Sequence, residues 1–307
     1  FRTAEFVWAN YINPLPIEQL WDGPSQDYFA ATKDQIYAAQ TKVTRFVKGK
    51  QIMQFKHYNR VINLGAGQGQ DLQYEYSAEI RHILMVDIDS TAITELIRRK
   101  YEFSKANTSK QKAATVVHVL LADINDPHEK TIERFKIFGM EKVEAIVCNL
   151  ALHYFVSTAA NLANFTKLIT KTLLPGGKFS ITILIGEEVH KLFLEHNIPE
   201  GGTWDVREND VLKYSIKRLY ASDTLAAYGQ KIGVILPFSR GEYYEECLVN
   251  TAALCEYFAT AGLKADGPYT LVSDSISEFK KMYAKFHLTP GDTAWLSLYG
   301  SINLTLT

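Results

Sequence analysis

A chain of 307 residues, 47% hydrophobic and 22% charged, has the composition of a folded globular protein with a sizeable core, which excludes disordered and fibrous classes. Its formal net charge of -1 at pH 7 supplies no global attraction to nucleic acid, so a general duplex-coating protein is excluded and any RNA or DNA would be held locally. Three cysteines without CxxC spacing argue against a disulfide framework and a structural zinc, and no apolar run approaches the roughly 18 residues that span a bilayer. With no charged-then-apolar leader at the start, the expectation is a soluble protein of a reducing compartment, whose sequons at Asn107, Asn164 and Asn303 are chance matches.

In chain order, residues 1–24 carry Phe6, Trp8, Tyr11, Pro14, Pro16 and Trp21 and read as an irregular aromatic arm; residues 25–307 read as one domain. Ser25 is a good N-cap, and apolar residues at helical spacing through Ile36, Val43, Phe46 and Val47 predict a helix that Gly49 stops. The second half of that helix bears Lys42, Arg45, Lys48 and Lys50, a stripe whose simplest reading is a solvated basic face favoured by the helix dipole. Val/Ile/Leu-rich runs at 60–64, 82–87, 115–121, 143–148 and 178–185 then alternate with helical patterns at 91–103, 129–138 and 158–173. This order predicts an α/β fold, a Rossmann-like and mostly parallel sheet covered by helices on both faces. Beyond about residue 186 come strand-like stretches at 214–219 and 231–237 and a helical one at 251–261, expected to complete the same sheet and roof its ligand edge.

The most informative segment runs from Val61 to Leu72, where Gly65, Gly67 and Gly69 follow a buried strand and open a helix. A dinucleotide fingerprint would need glycine at Gln70, so NAD is disfavoured. S-adenosylmethionine (SAM) needs no pyrophosphate cradle; it needs a turn under its methionine moiety and an acid near its ammonium, which Asp71 supplies. Asp87 ends the second strand, where the sheet edge can present a carboxylate to a ribose diol, with Asp89 as the competing choice or a helix cap. Asp123 ends the third strand at the expected place of an adenine amino group, and 174–178 (Leu-Pro-Gly-Gly-Lys) reads as a tight helix-to-strand turn. Together they predict a class I SAM-dependent methyltransferase with a seven-stranded sheet.

After the fourth strand, Asn149 to Phe155 lacks the Pro-Pro turn of DNA amino-methylating enzymes, and no Lys stands where a ribose 2′-O-methyltransferase would need one. His153 and Tyr154 offer a ring hydrogen bond and a stacking face. Over roughly residues 30–307 the chain resembles the mRNA cap guanine-N7 methyltransferase family, above all the C-terminal domains of multifunctional capping enzymes of large cytoplasmic DNA viruses of poxvirus and asfarvirus type. A domain cut from such a polypeptide would begin, like this chain at Phe1, without Met. The resemblance implies SAM contacts at Lys42, Gly65, Gly67, Gly69, Asp71, Asp87, Asp123 and Asn149. It also implies cap contacts at His153, Tyr154, Glu246 and Tyr299, with Arg99 or Lys100 as a phosphate contact and no metal. Capped RNA, covalently linked triphosphatase and guanylyltransferase domains and a place in the host cytoplasm or virion follow from it too. Three departures stand out: Gln70 replaces a glycine, Tyr74 and Glu75 replace a basic residue, and a proline expected after the fifth strand is absent.

Guanine N7 carries a free lone pair at neutral pH, so no general base is needed and the task is in-line alignment in a dry site. A carboxylate at Glu246 on the Watson-Crick edge would select guanine and favour the cationic product. The alternatives are a methyltransferase acting on a small molecule and a non-catalytic SAM-fold partner subunit.

Overall fold

In the computed structural model, which describes residues 37–107, 115–235 and 241–307, each apolar run of the first half becomes a strand of one sheet. The predicted aromatic arm, the Ser25 cap, and Leu236 and Pro237 lie outside the described residues. The first half runs α1 Ala38–Met53, β1 Arg60–Leu64, α2 Leu72–Ser77, β2 His82–Asp87, α3 Ser90–Asn107, β3 Val116–Leu121, α4 His128–Lys136, β4 Val143–Asn149, α5 Ala159–Thr172 and β5 Leu173–Leu184. The second runs α6 Gly186–Glu195, β6 Thr203–Glu208, β7 Val211–Arg218, β8 Lys231–Ile235, β9 Tyr244–Cys247, α7 Thr251–Thr260, β10 Leu263–Ala265, β11 Thr270–Leu271, α8 Ile276–Met282, α9 Pro290–Leu296 and β12 Tyr299–Leu306.

The main sheet has the order β10-β12-β5-β4-β1-β2-β3, with β11 paired to β12, eight strands among the described residues where seven were predicted. Strands β1 to β5 are parallel, and β12 and β10 add antiparallel. Successive residues of a strand face opposite sides. Accordingly Ile62, Leu84 and Ile146 join one buried cluster, while Val61, Ile83 and Ala145 join another on the opposite face. Burial on both faces explains the continuous Val/Ile/Leu runs, each such side chain contributing about 1.5 to 3 kcal/mol of burial free energy. Strand order reverses at β1, which pairs with β2 on one side and β4 on the other, and such a reversal opens a crevice at the carboxyl edge.

The later half does not simply complete this sheet. Strands β10, β11 and β12 join it, whereas β6-β7-β8-β9 form a separate four-stranded antiparallel sheet. Its strands keep one polar, partly exposed face, so they pair as hairpins and bury their other face, with Tyr214, Ile216, Ile232 and Val234, against Val189, Phe193 and Trp295. Trp295 stacks on Tyr214 at 4.6 Å and 8°. The exit from β9 crosses the end of β5, where Gly186 N donates to Val249 O at 3.0 Å. That crossing brings the second sheet to the carboxyl edge.

Two local expectations are corrected. Gly49 does not stop α1: it lies inside the helix, and a Cβ there would meet the Tyr74 ring at 2.7 Å, so close packing against α2 explains the glycine. The Leu-Pro-Gly-Gly run is the irregular start of β5, where the pairing with β4 shifts register between Val143 and Ala145. Among the described residues no helix is long and apolar enough to cross a membrane.

Candidate cofactor and acceptor site

The crevice is a cavity of about 400 Å³, lined by Gly65 to Gln68, Gln70 and Asp71 of the β1-α2 loop, by Asp87 to Asp89, by Ala122 to Asn125, by Asn149 to Ala151 and by Lys48, Tyr154 and Phe155. Gly65 begins the loop at φ 69°, and a Cβ there would stand 2.2 Å from the Ala151 Cβ, so both backbone and space demand glycine.

On the floor, Asp71 is held from two sides. Lys48 Nζ lies 2.7 Å from Oδ1, and Asn149 Nδ2 donates to Oδ2 at 3.0 Å. Beneath them Glu75 is fully buried and accepts from Asn63 Nδ2 at 2.8 Å. Burial pushes its carboxyl up to about 8; the Asn63 bond opposes this, the Asp71 charge adds to it and Lys48 opposes it. Asn149 Oδ1 is buried without a hydrogen-bond partner among the described residues, an acceptor at the cavity wall. Leu150, next along, takes φ 61°, a conformation costing a non-glycine residue about 1 to 2 kcal/mol and concentrated at functional sites.

Asp87 closes the opposite wall. Its Oδ2 accepts from Gly67 N at 2.7 Å and its Oδ1 from Asp89 N at 2.9 Å, so the carboxylate clamps the glycine loop to β2. Burial pushes its carboxyl up, while the backbone N-H groups of Asp89 and Gly67 resist that. Each oxygen keeps a lone pair for a diol. Asp89 instead takes the capping role: its Oδ1 accepts from Thr91 N and Ala92 N at 2.8 and 3.0 Å in the first turn of α3. Asp123 accepts from Asn125 N at 2.8 Å, between apolar walls of Ile88, Ile124 and Phe155. A Lys-Asp pair for a zwitterionic amino acid, a carboxylate for a diol, and an acid beside an apolar slot fit SAM, in a volume of the size small ligands occupy.

The acceptor residues converge from three segments. His153, on a 3-10 turn at Leu152–Tyr154, places Nε2 3.8 Å from Glu246 Oε1 of β9, too long for a hydrogen bond. His153 Nε2 is buried with no hydrogen-bond partner among the described residues. Burial pulls its basicity down, with Glu246 opposing, so the ring is neutral at pH 7. Tyr299, at the start of β12, has its hydroxyl pushed well above the usual range by burial and then by the Glu246 charge. The Tyr154 ring sits 3.9 Å from that of His153, is 41% exposed and lines the cavity. Cofactor cavity and acceptor cluster therefore share a wall.

Six expected contacts do not themselves line the cavity: His153, Glu246 and Tyr299 of the acceptor cluster, and Lys42, Gly69 and Arg99. Lys42 stands over the Tyr283 ring at 5.5 Å, and Lys48, two turns further along α1, faces Asp71 instead. Gly69 packs against α3, where a Cβ would meet Leu96 Cγ at 2.9 Å. Arg99 pairs with Glu95 at 2.8 Å on its own helix and extends Nη2 to Oε1 of the cavity-lining Gln68 at 3.5 Å. Lys48, Ile88 and Leu150 are among the cavity residues that sequence reasoning passed over. Only Lys48 left a signal, as a member of the basic stripe.

Residues 41–236 match the model of the mRNA (guanine-N(7))-methyltransferase domain. The mRNA-capping enzyme of a Kenyan pig isolate of African swine fever virus is 41% identical over 309 residues, covering 99% of this chain and 35% of that protein. The chain thus spans about a third of the length of such relatives. Among solved structures, an S-adenosylmethionine-dependent methyltransferase of Clostridium acetobutylicum superposes with TM-score 0.52 at 12% identity, covering 87% of this chain and 91% of that one. The CcbJ methyltransferase of Streptomyces caelestis does so with TM-score 0.52 at 12% identity, over 87% and 95%. At such identity the likeness speaks for the fold alone, the class I methyltransferase core.

Proposed function

The chain belongs to the mRNA (guanine-N(7))-methyltransferase family, and from that premise we propose that it transfers a methyl group from SAM to N7 of the guanine cap of mRNA. The observation that carries this reading is the convergence of His153, Glu246 and Tyr299 beside Tyr154, which itself lines the cavity. Lys48, Asp71 and Asn149 would hold the methionine end of the cofactor, Asp87 its ribose and Asp123 its adenine. When bound, SAM supplies a methyl group already activated by a sulfonium, so the protein needs no acid-base residue. Tyr154 offers a face for the base to stack on, a contact of about 1 to 3 kcal/mol in single-strand binders. Glu246 accepts from the N1-H and 2-amino donors of guanine and favours the cation that N7 methylation creates. The neutral, buried His153 donates or accepts one hydrogen bond and keeps water from the edge of the base.

The match to part of a capping enzyme supports a longer polypeptide with triphosphatase and guanylyltransferase domains, working on capped RNA in the host cytoplasm, with the virion as a further location. A small-molecule methyltransferase would not require the Glu246 and Tyr299 set. Transfer of a labelled methyl group to GpppG-capped RNA, with ApppG-capped RNA as control, tests the reading. Label on the first alone is expected; equal label on both, or none, would end it.

A further inference from the structure

Helix α1 buries a polar stripe where an apolar one is the rule. Gln40, Thr44, Lys48 and Gln51 are all buried and recur at helical spacing, flanked by Val43 and Val47 on one edge and Ile52 on the other. The strands beneath are polar to match. Asn149 of β4, Thr182 of β5 and Ser301 of β12 are register partners and form one row across the sheet; Val147, Ser180 and Asn303 form the next, two residues away on the same face. Gln51 reaches both rows: its Oε1 accepts from Ser180 Oγ at 3.0 Å, and its Nε2 donates to Ser301 Oγ at 2.9 Å. Gln54 Nε2 adds a third bond, to Gln51 Oε1 at 2.9 Å. The first row reaches the cofactor floor, where Asn149 Nδ2 donates to Asp71 Oδ2, on the carboxylate that Lys48 faces.

Stability alone does not call for these residues. Ser180 and Thr182 are fully buried among Phe179, Ile181 and Ile183, and Thr182 Oγ1 has no hydrogen-bond partner among the described residues. Apolar side chains of the same shape would serve stability about as well, but their contacts have no direction. They would let α1 slide over the strands, whereas a slide by one residue, about 1.5 Å, would break the bonds of Gln51. Lys48 stands three residues before Gln51 on the same helix, so what fixes Gln51 fixes Lys48. The Gly49 contact with the Tyr74 ring sets α1 against α2; Gln51 sets it against β5 and β12. We propose that Gln51, through Ser180 and Ser301, is a positioning residue of the cofactor site that holds α1 at the offset where Lys48 meets Asp71. The assignment rests on the reading of Lys48 and Asp71 as the seat of SAM's methionine end.

The test measures SAM affinity by calorimetry and unfolding by urea in the whole chain, in a triple variant carrying Gln51→Leu, Ser180→Ala and Ser301→Ala, and in both with Lys48→Gln added. The triple variant removes the amide and both hydroxyls together, so its unfolding midpoint should equal or exceed that of the parent, while SAM binds about tenfold more weakly. Lys48→Gln should weaken SAM binding about tenfold in the parent and less than about threefold in the triple variant, where Lys48 is already displaced. A merely structural network would lower the midpoint and leave the two losses additive; that result, or unchanged SAM affinity in the triple variant, would overturn the assignment. If the triple variant does not fold, Ser301→Ala alone takes its place, with an expected loss of about threefold that is again not additive with Lys48→Gln. An additive loss there, or none, overturns the assignment. Unchanged SAM affinity in Lys48→Gln on the parent background would refute the reading of the methionine end, and the assignment with it.

Discussion

Replacing Glu246 by Gln tests the selectivity role proposed for it. On β9 Glu246 is buried, while Glu245 is 62% exposed and pairs with Lys231 at 2.9 Å. Gln keeps the shape, but loses the charge and sets an N-H2 group where guanine already presents donors. His153 is neutral, so no buried ion pair is broken and the fold should be little disturbed. A charge-assisted hydrogen bond is worth about 1.5 to 3 kcal/mol, which converts to a loss of roughly 10- to 150-fold in kcat/KM for GpppA-capped RNA. SAM affinity by calorimetry and the melting temperature serve as controls and should barely move. Glu245→Gln should stay near full activity. Damage from Glu245→Gln instead would mean that β9 is shifted by one residue; damage from neither would remove guanine recognition from this strand.

Asp87→Ala should weaken SAM binding by about 100-fold, two hydroxyl hydrogen bonds to a carboxylate being lost, while circular dichroism stays native. Its melting temperature should fall by a few degrees, because Gly67 N and Asp89 N lose their acceptor; unchanged SAM affinity in calorimetry would remove Asp87 from the site. Glu75 gives a pH signature: its carboxyl sits at about 8 when folded against 4.5 ordinarily, so the native state holds the proton more tightly. Its contribution is intact below about pH 4.5 and falls away as pH rises toward 8, by at most about 1.4 kcal/mol per unit. Urea titrations at pH 6 and 8 should show Glu75→Gln losing less stability over that interval than the parent, and equal losses would refute the protonated carboxyl. At saturating SAM and cap, the single-turnover rate should vary by less than about threefold from pH 6 to 8, as no proton moves in the step; a tenfold rise per unit would reveal a base.

Much of the cofactor half was legible because its signals are local. The runs at 60–64 and 82–87 coincide with β1 and β2, since strands buried on both faces need unbroken apolar side chains; Asp87 closes β2, and Asp123 comes two residues after β3. Positions along α1 were not legible. Lys42 and Lys48 share a stripe, and which of them meets Asp71 depends on how far the helix slides over the sheet, which the contact between Gly49 and the Tyr74 ring fixes. The ion pair of Arg99 was visible locally: Glu95 stands four residues before it, the spacing of a helical ion pair.

The acceptor half was legible only as a register. Glu245 and Glu246 had to face opposite sides of any strand, and the spacing to Phe258 chose the inward one, yet nothing local announced that this strand belongs to a second sheet. That separation has a mechanical consequence. Asp87 sits at the end of a parallel strand, where Gly67 N donates to it, and Asp71 is held by Lys48 and Asn149, whereas Glu246 meets His153 only because the antiparallel sheet is docked through Tyr214 and Trp295 and tied at Gly186 and Val249. Loosening of that docking would displace Glu246 while leaving Asp71 and Asp87 in place. Loss of cap recognition with SAM binding retained is therefore the expected first symptom of damage in the Tyr214 and Trp295 stack.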